Sequence, residues 1–202
     1  MIGDEIVEIK NFVPRDYQKY ILDYVTGLKF PWYYNMNMVS DHDPLLSDMG
    51  NIAGLNHFLY EDGEAVSPFF NTVYPLVLLI GDKAPEIKFQ KLERMRFNLT
   101  FKNSVYPHEY HMPHIDNAMP HYVAIYYVND SDGDTFIFNE TNDTYTPKAY
   151  ATMKSRDFTI KQRITPEQGK LVIFPGKYYH ASSFAKNTKH RILINMNLTT
   201  MF

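Results

Sequence analysis

The chain has 202 residues, 45% of them hydrophobic and 15% aromatic, with a net charge of −3 at pH 7 and no cysteine. That length and apolar content suit one domain with a substantial core, and the charge balance gives no reason to expect nucleic acid or an anionic membrane as partner. Without cysteine, disulfides, zinc–thiolate centres, iron–sulfur clusters and thiol nucleophiles are excluded, so any metal must be held by His, Asp or Glu.

The first stretch, MIGDEIVEIKNFVPRDY, carries charge throughout and lacks the apolar core of a secretory signal. The longest apolar run, YPLVLLI, is too short to span a bilayer, and a cytoplasmic protein is expected. Tyr17, Ile21, Leu22 and Val25 fall on one stripe of a helix from Pro14 to about Thr26, with Gly27 as its stop. Residues 30 to 64 hold Pro, Asn, Asp and Gly at turn-like positions and read as a short strand plus loops. A second helix is expected from Ser67 to Ile80, with Ser67-Pro68 as its start and Gly81 as its terminator. From residue 88 the period changes to two. KFQKLERMRFNLTF (88–101), HYVAIYYVN (121–129), TFIFN (135–139), DFTIKQR (157–163), GKLVIFP (169–175) and HRILINMNL (190–198) read as strands, with DSDGD as a turn between the second and third. The expectation is a mainly β (α+β) chain, one domain over 1–202. Residues 1–87 form a helix-rich support and 88–202 a sandwich or jelly-roll core.

Four of the eight histidines, at 108, 111, 114 and 121, lie within fourteen residues. Side chains two apart on a strand point the same way, so His114 and Asp116 can face one ion. His111, three before His114 and separated by Pro113, should point elsewhere; with His108 and His121 it reads as a supporting or surface residue. An HxD triplet alone is a common chance pairing, and a lone His is more often a hydrogen-bonded structural residue than a ligand. His180, after the Pro175-Gly176 turn, is the best third ligand. Two His and one carboxylate on one side of an ion form the facial triad of non-haem Fe(II) oxygenases, which leaves three positions open.

On the last strand the even positions are nearly all apolar, whereas the odd face carries Arg191, Leu193, Asn195 and Asn197. A buried Arg is costly unless paired, and its planar fork matches a carboxylate, either internal or from a ligand. The odd face of 121–129 brings Tyr127, whose hydroxyl needs a partner: a backbone carbonyl or that same ligand.

The pattern His114-Ile115-Asp116, then IYYVNDSDGDTFIF, then GKLVIFPGKYYHAS with His180, then Arg191, resembles the Fe(II)/2-oxoglutarate-dependent dioxygenases. It is most similar to the prolyl-4-hydroxylase-like branch, over about residues 92 to 198. The resemblance implies a double-stranded β-helix, or jelly roll, with N-terminal helices packed on one sheet. It implies His114, Asp116 and His180 as iron ligands, with Arg191 and Tyr127 on the distal carboxylate of 2-oxoglutarate. It also implies O2 as co-reactant, ascorbate as an accessory reductant, and hydroxylation of a C–H bond coupled to decarboxylation of 2-oxoglutarate to succinate. Asn195 and Asn197 are expected to project toward the same cavity and to order the cosubstrate or a water, or to make structural hydrogen bonds. Asn98 enters from the preceding strand, and Arg94 and Arg96 read as a solvated face. Aromatics at 32, 33, 34, 60, 145 and 150 mark the expected rims. The leading substrate is a prolyl residue in a peptide or protein, with a free amino acid or small metabolite as the alternative. A cupin-type metal enzyme without 2-oxoglutarate, or an inactive jelly roll that only binds a partner, remain as other classes. The oligomeric state is not legible.

Overall fold

A computed structural model of the chain describes residues 3–38, 52–143 and 157–200. After the short strand β1 (Val7–Ile9), helix α1 (Arg15–Thr26) starts where the Pro14 carbonyl accepts the Gln18 amide at 3.0 Å. It buries Ile21 and Val25 and ends at Gly27, whose backbone is extended (φ −68°, ψ 146°). The second expected helix is interrupted. It forms α2 (Phe70–Val73) and α3 (Pro75–Lys83), because Pro75 has no N–H to continue the ladder. α3 also runs past Gly81, where nothing lies within 4 Å of an added Cβ, so the glycine is tolerated on an open face rather than ending the helix.

The strands are β2 (Tyr33–Asn35), β3 (Gly54–Glu61), β4 (Glu64–Ala65), β5 (Lys91–Phe101), β6 (His121–Tyr127), β7 (Thr135–Thr141), β8 (Ile160–Ile164), β9 (Leu171–Pro175), β10 (Tyr178–Ser182) and β11 (His190–Thr199). They form two antiparallel sheets. The larger has the order β1-β9-β6-β11-β5-β3-β2, with β4 on β3, and the smaller is β10-β7-β8. The eight-residue β3 corrects the expectation of a short strand plus loops over 30–64. Its Asn56 and His57 weaken the apolar pattern, yet pairing with β5 and burial on both sides hold it as a strand. β1 and β10 were also not expected as strands; three and five residues give too short a period to read.

β11 lies at the centre of the large sheet, between β6 and β5. Its even residues Ile192, Ile194, Met196 and Leu198 pack with Tyr122, Ala124, Tyr126, Met95 and Phe97 against Ile21, Val25, Leu76 and Ile80 of the helices. A one-residue shift in β5, between the pairs Asn197–Arg94 and Leu198–Leu92, returns Leu92 to this core. The opposite face carries Val123, Ile125, Tyr127, Val172, Phe174 and Leu193, which meet Ile137 and Ile164 of the small sheet. The architecture is a jelly roll, two facing antiparallel sheets with helices on the outer face of the larger. No helix among the described residues is long and apolar enough to cross a membrane.

Candidate metal centre

The Pro175-Gly176 turn brings β10 back over the large sheet. Gly176 is required there because an added Cβ would come within 2.2 Å of the His121 ring. His180 on β10 and His114 form an isolated antiparallel bridge, with His114 N–H donating to His180 O (3.0 Å) and His180 N–H to His114 O (2.9 Å). Two backbone bonds therefore fix two imidazoles side by side, with ring centroids 4.6 Å apart. His114 Nδ1 lies 3.1 Å from the Met112 carbonyl, and His180 Nδ1 lies 3.4 Å from that of Tyr178. A carbonyl can only accept, so each Nδ1 carries the proton and each Nε2 presents its lone pair.

Those lone pairs converge with Asp116. Its Oδ1 is 3.5 Å from His114 Nε2 and 3.6 Å from His180 Nε2, and the three ligand atoms lie within 4.8 Å of one another. Donors on one face of an octahedral ion, each about 2.1 Å from it, sit about 3 Å apart, so the set fits a divalent metal. The other carboxylate oxygen is held from behind. Asp116 Oδ2 accepts from Asn195 Nδ2 (2.9 Å) and Asn197 Nδ2 (2.8 Å), and Arg94 Nη2 stands 3.7 Å away. Burial pushes the Asp116 carboxyl up. The polar edges of the His114 and His180 rings and the Arg94 guanidinium beside it outweigh burial and hold it well below the usual carboxylate range. Burial, then the neighbouring His180, lowers His114 and favours the neutral, ligating imidazole.

The same cavity ends at Arg191. Its Nη2 donates to Thr135 Oγ1 at 2.7 Å, and Tyr127 Oη donates to that same oxygen at 2.7 Å. Tyr127 thus meets Thr135, a residue the sequence reading passed over; its signal was a hydroxyl at the start of an otherwise apolar strand, TFIF. Arg191 Nε has no hydrogen-bond partner among the described residues. The Arg191 register is locked by the turn. Asp132 accepts the backbone N–H groups of Asn187 (2.8 Å) and Thr188 (3.0 Å). Gly133 packs so closely that an added Cβ would lie 2.8 Å from Ser183 O and 3.1 Å from Arg191 Cδ. Burial lowers the Arg191 pKa, opposed by Tyr127 and Asp134.

Between these ends lies a cavity with about 580 Å³ of empty space, partly open to solvent. Arg96, Asn98, Thr100, His111, Ile125 and Leu193 are among its lining residues. Arg94 and Arg96 do not form a solvated face as expected. Their parity puts them with Asn98, and that face of β5 looks into the sandwich. His111 is buried there, its Nδ1 3.0 Å from Ser182 Oγ, and burial with the nearby Arg191 pushes its pKa down to about 3. Asn195 and Asn197 face Asp116, beside the expected metal rather than the distal cosubstrate end. Of the expected rim aromatics, Trp32 packs inward with its Nε1 donating to Val25 O, and Tyr60 stacks on Phe70. Tyr33 and Tyr34 are exposed. Tyr145 and Tyr150 lie outside the described residues.

No protein-family model matches this sequence, and no curated protein matches it. Solved structures do. An oxidoreductase of the 2OG-Fe(II) oxygenase family from Burkholderia pseudomallei superposes with a TM-score of 0.63 at 11% identity, over 96% of this chain and 84% of that one. The fold is that of the 2-oxoglutarate–Fe(II) oxygenases. The non-haem alpha-ketoglutarate-dependent epimerase SnoN of nogalamycin biosynthesis gives 0.63 at 12% identity, over 98% of this chain and 79% of its own. A prolyl-4-hydroxylase from Pseudomonas putida gives 0.54 at 13%, over 98% and 93%. In this fold the His114–Asp116–His180 cluster lines one end of the cavity and Arg191, on the central strand, lines the other.

Proposed function

We propose that this chain is an Fe(II)- and 2-oxoglutarate-dependent dioxygenase that hydroxylates a C–H bond, with residues 1–202 acting as one domain. The observation that carries this reading is the convergence of two Nε2 lone pairs and one carboxylate oxygen at one end of a cavity whose other end is a buried guanidinium with an unpartnered Nε. His114, Asp116 and His180 would hold the iron, and Asn195 and Asn197 would keep Asp116 turned so that Oδ1 faces the metal. Arg191 would bind the distal carboxylate of 2-oxoglutarate through its fork, with Tyr127 and Thr135 fixing the guanidinium plane. The bound metal, with dioxygen, would supply the oxidative decarboxylation of 2-oxoglutarate to succinate and carbon dioxide and the transfer of one oxygen atom to the substrate. The retained carboxylate of Asp116 favours hydroxylation over replacement by a halide.

A prolyl residue is one substrate this reading supports, since the fold is shared with prolyl hydroxylases. One of these, from Trichoplax adhaerens, is seen with a peptide of hypoxia inducible factor (TM-score 0.59, 13% identity). A small molecule is the other, since SnoN is seen with Fe3+, alpha-ketoglutarate and nogalamycin RO. The cysteine-free composition agrees with work in the cytoplasm. Anaerobic titration of the Fe(II) protein with 2-oxoglutarate tests the reading. A visible charge-transfer band that saturates, and succinate formation once oxygen is admitted, are expected. Iron binding with neither band nor succinate would instead indicate a cupin-type enzyme or a binding module.

A further inference from the structure

We propose that Arg96, with Asn98 beside it, binds a carboxylate of the prime substrate, so that this chain acts on a small carboxylic acid rather than on a neutral segment of peptide. This rests on the 2-oxoglutarate reading above, which accounts for Arg191 and leaves Arg96 over.

Strand register sets the arrangement. On β5, Thr100 is opposite Arg191, Asn98 opposite Leu193, and Arg96 opposite Asn195, whose amide holds Asp116. The row therefore runs from the Arg191 end of the cavity to the metal end, and Arg96 stands at the metal end, where the reacting C–H bond must be presented. Arg96 has no hydrogen bond or ion pair with any described residue, and its Nε and Asn98 Oδ1 are buried without partners. Of the two carboxylates among the described residues that act on it through space, Glu61 makes no ion pair with it, and Asp116 is already committed: Oδ2 to Asn195, Asn197 and Arg94, and Oδ1 to the metal position it shares with the two histidines. The Phe58 ring centroid lies 5.7 Å from the Arg96 guanidinium carbon, a cation–π contact that supplies no counter-charge.

Charge balance points the same way. The lining carries Arg96, Arg191 and Asp116 as its charged Arg and acidic groups. A divalent metal and a dianionic cosubstrate leave one positive charge uncancelled among these lining groups. Burial and the neighbouring Arg94 lower Arg96 only to about 10, so it stays charged at neutral pH. A buried cation without a counter-charge is destabilising, and a planar guanidinium matches a carboxylate in two hydrogen bonds. A neutral backbone amide cancels no charge. Asn98 adds an acceptor beside the guanidinium that suits an N–H or O–H of the same ligand.

The test uses the full chain loaded with Fe(II) and 2-oxoglutarate. Substrate-stimulated succinate release is measured over free amino acids and small hydroxy acids, L-proline included, each against its primary amide, together with terminally blocked neutral prolyl peptides. Acids are expected to stimulate at least about tenfold more than their amides. Arg96→Met is expected to raise KM for the stimulating acid at least about tenfold, with anaerobic 2-oxoglutarate affinity within about twofold of wild type and Tm unchanged or higher. Arg96→Lys should recover part of the KM effect, keeping charge without the fork. An inert acid panel, equal stimulation by amides, or stimulation by the blocked peptides alone overturns the proposal. So does a fall in Tm, which marks Arg96 as structural, or a loss of 2-oxoglutarate affinity in Arg96→Met, which assigns it to the cosubstrate. Failure of the wild-type protein to bind 2-oxoglutarate at all sinks the parent reading instead.

Discussion

Asn197 gives the sharpest test of how this centre is built. It is 1% exposed, and its Nδ2 donates to Asp116 Oδ2 at 2.8 Å, beside the 2.9 Å bond from Asn195. Leucine keeps the same count and branching of heavy atoms but is bulkier, so Asn197→Leu removes the donor without opening a cavity, and its Tm is compared with wild type to check that the added bulk is accommodated. A hydrogen bond to a charged group contributes roughly 1.5–3 kcal/mol, and each 1.4 kcal/mol is about tenfold in an equilibrium constant. The carboxylate would then swing or lose basicity, and metal affinity should weaken by about 10- to 100-fold, the range typical of partners that orient a ligand. Anaerobic titration with Mn(II), followed by electron paramagnetic resonance of the free ion, reads this directly. Because both amides serve one oxygen, the double variant with Asn195→Leu should depart from additivity. Unchanged Mn(II) affinity in a folded Asn197→Leu protein would refute the claim that these amides orient the ligand.

Arg191→Met should weaken 2-oxoglutarate binding by roughly 100-fold, the loss of a bidentate charge-assisted pair, and leave Mn(II) affinity nearly unchanged; the anaerobic charge-transfer titration and the Mn(II) titration separate the two. Gly133→Ala places a methyl 2.8 Å from Ser183 O and 2.9 Å from Ala185 N, both backbone atoms that cannot rotate away. It should lower Tm by roughly 5 °C, as overpacking does, and raise the 2-oxoglutarate Kd through Arg191, as calorimetry and thermal melts would show. Asp132 is held below the usual carboxylate range: burial raises it, but the bonds from Thr188 and Asn187 outweigh burial. Its folded pKa is depressed, so its stabilisation is complete above the unfolded value near ~4 and fades as pH falls below that toward the folded pKa. Asp132→Asn should therefore cost about 1 kcal/mol in denaturant melts at pH 7 and less at pH 3. Equal costs at both values would remove Asp132 as the charged clamp of the turn.

Local signals in the sequence were sufficient for α1, for β5 to β9 and β11 to within a few residues, and for the facing of His114 with Asp116. Each of these depends only on a period of two or 3.6, or on a residue type with one conformational use. The odd face of β11 was legible for the same reason: Arg191, Asn195 and Asn197 interrupt a strand that is otherwise apolar. Periodicity says which side chains share a face, but not which face is inside. Arg94 and Arg96 were correctly grouped with Asn98, yet whether that group met water or a cavity depended on the small sheet, whose strands lie more than thirty residues further on. Likewise the partner of Tyr127 is a hydroxyl on β7, and the oxygen that engages Asn195 and Asn197 is carried by a loop some eighty residues earlier in the chain. These pairings need chain segments brought together by hydrogen bonds between strands, and no local pattern encodes them. The chemistry of the ligand types was written along the chain; their convergence, and the solitary guanidinium of Arg96 left facing the same space, were decided only by the packing of one sheet on the other.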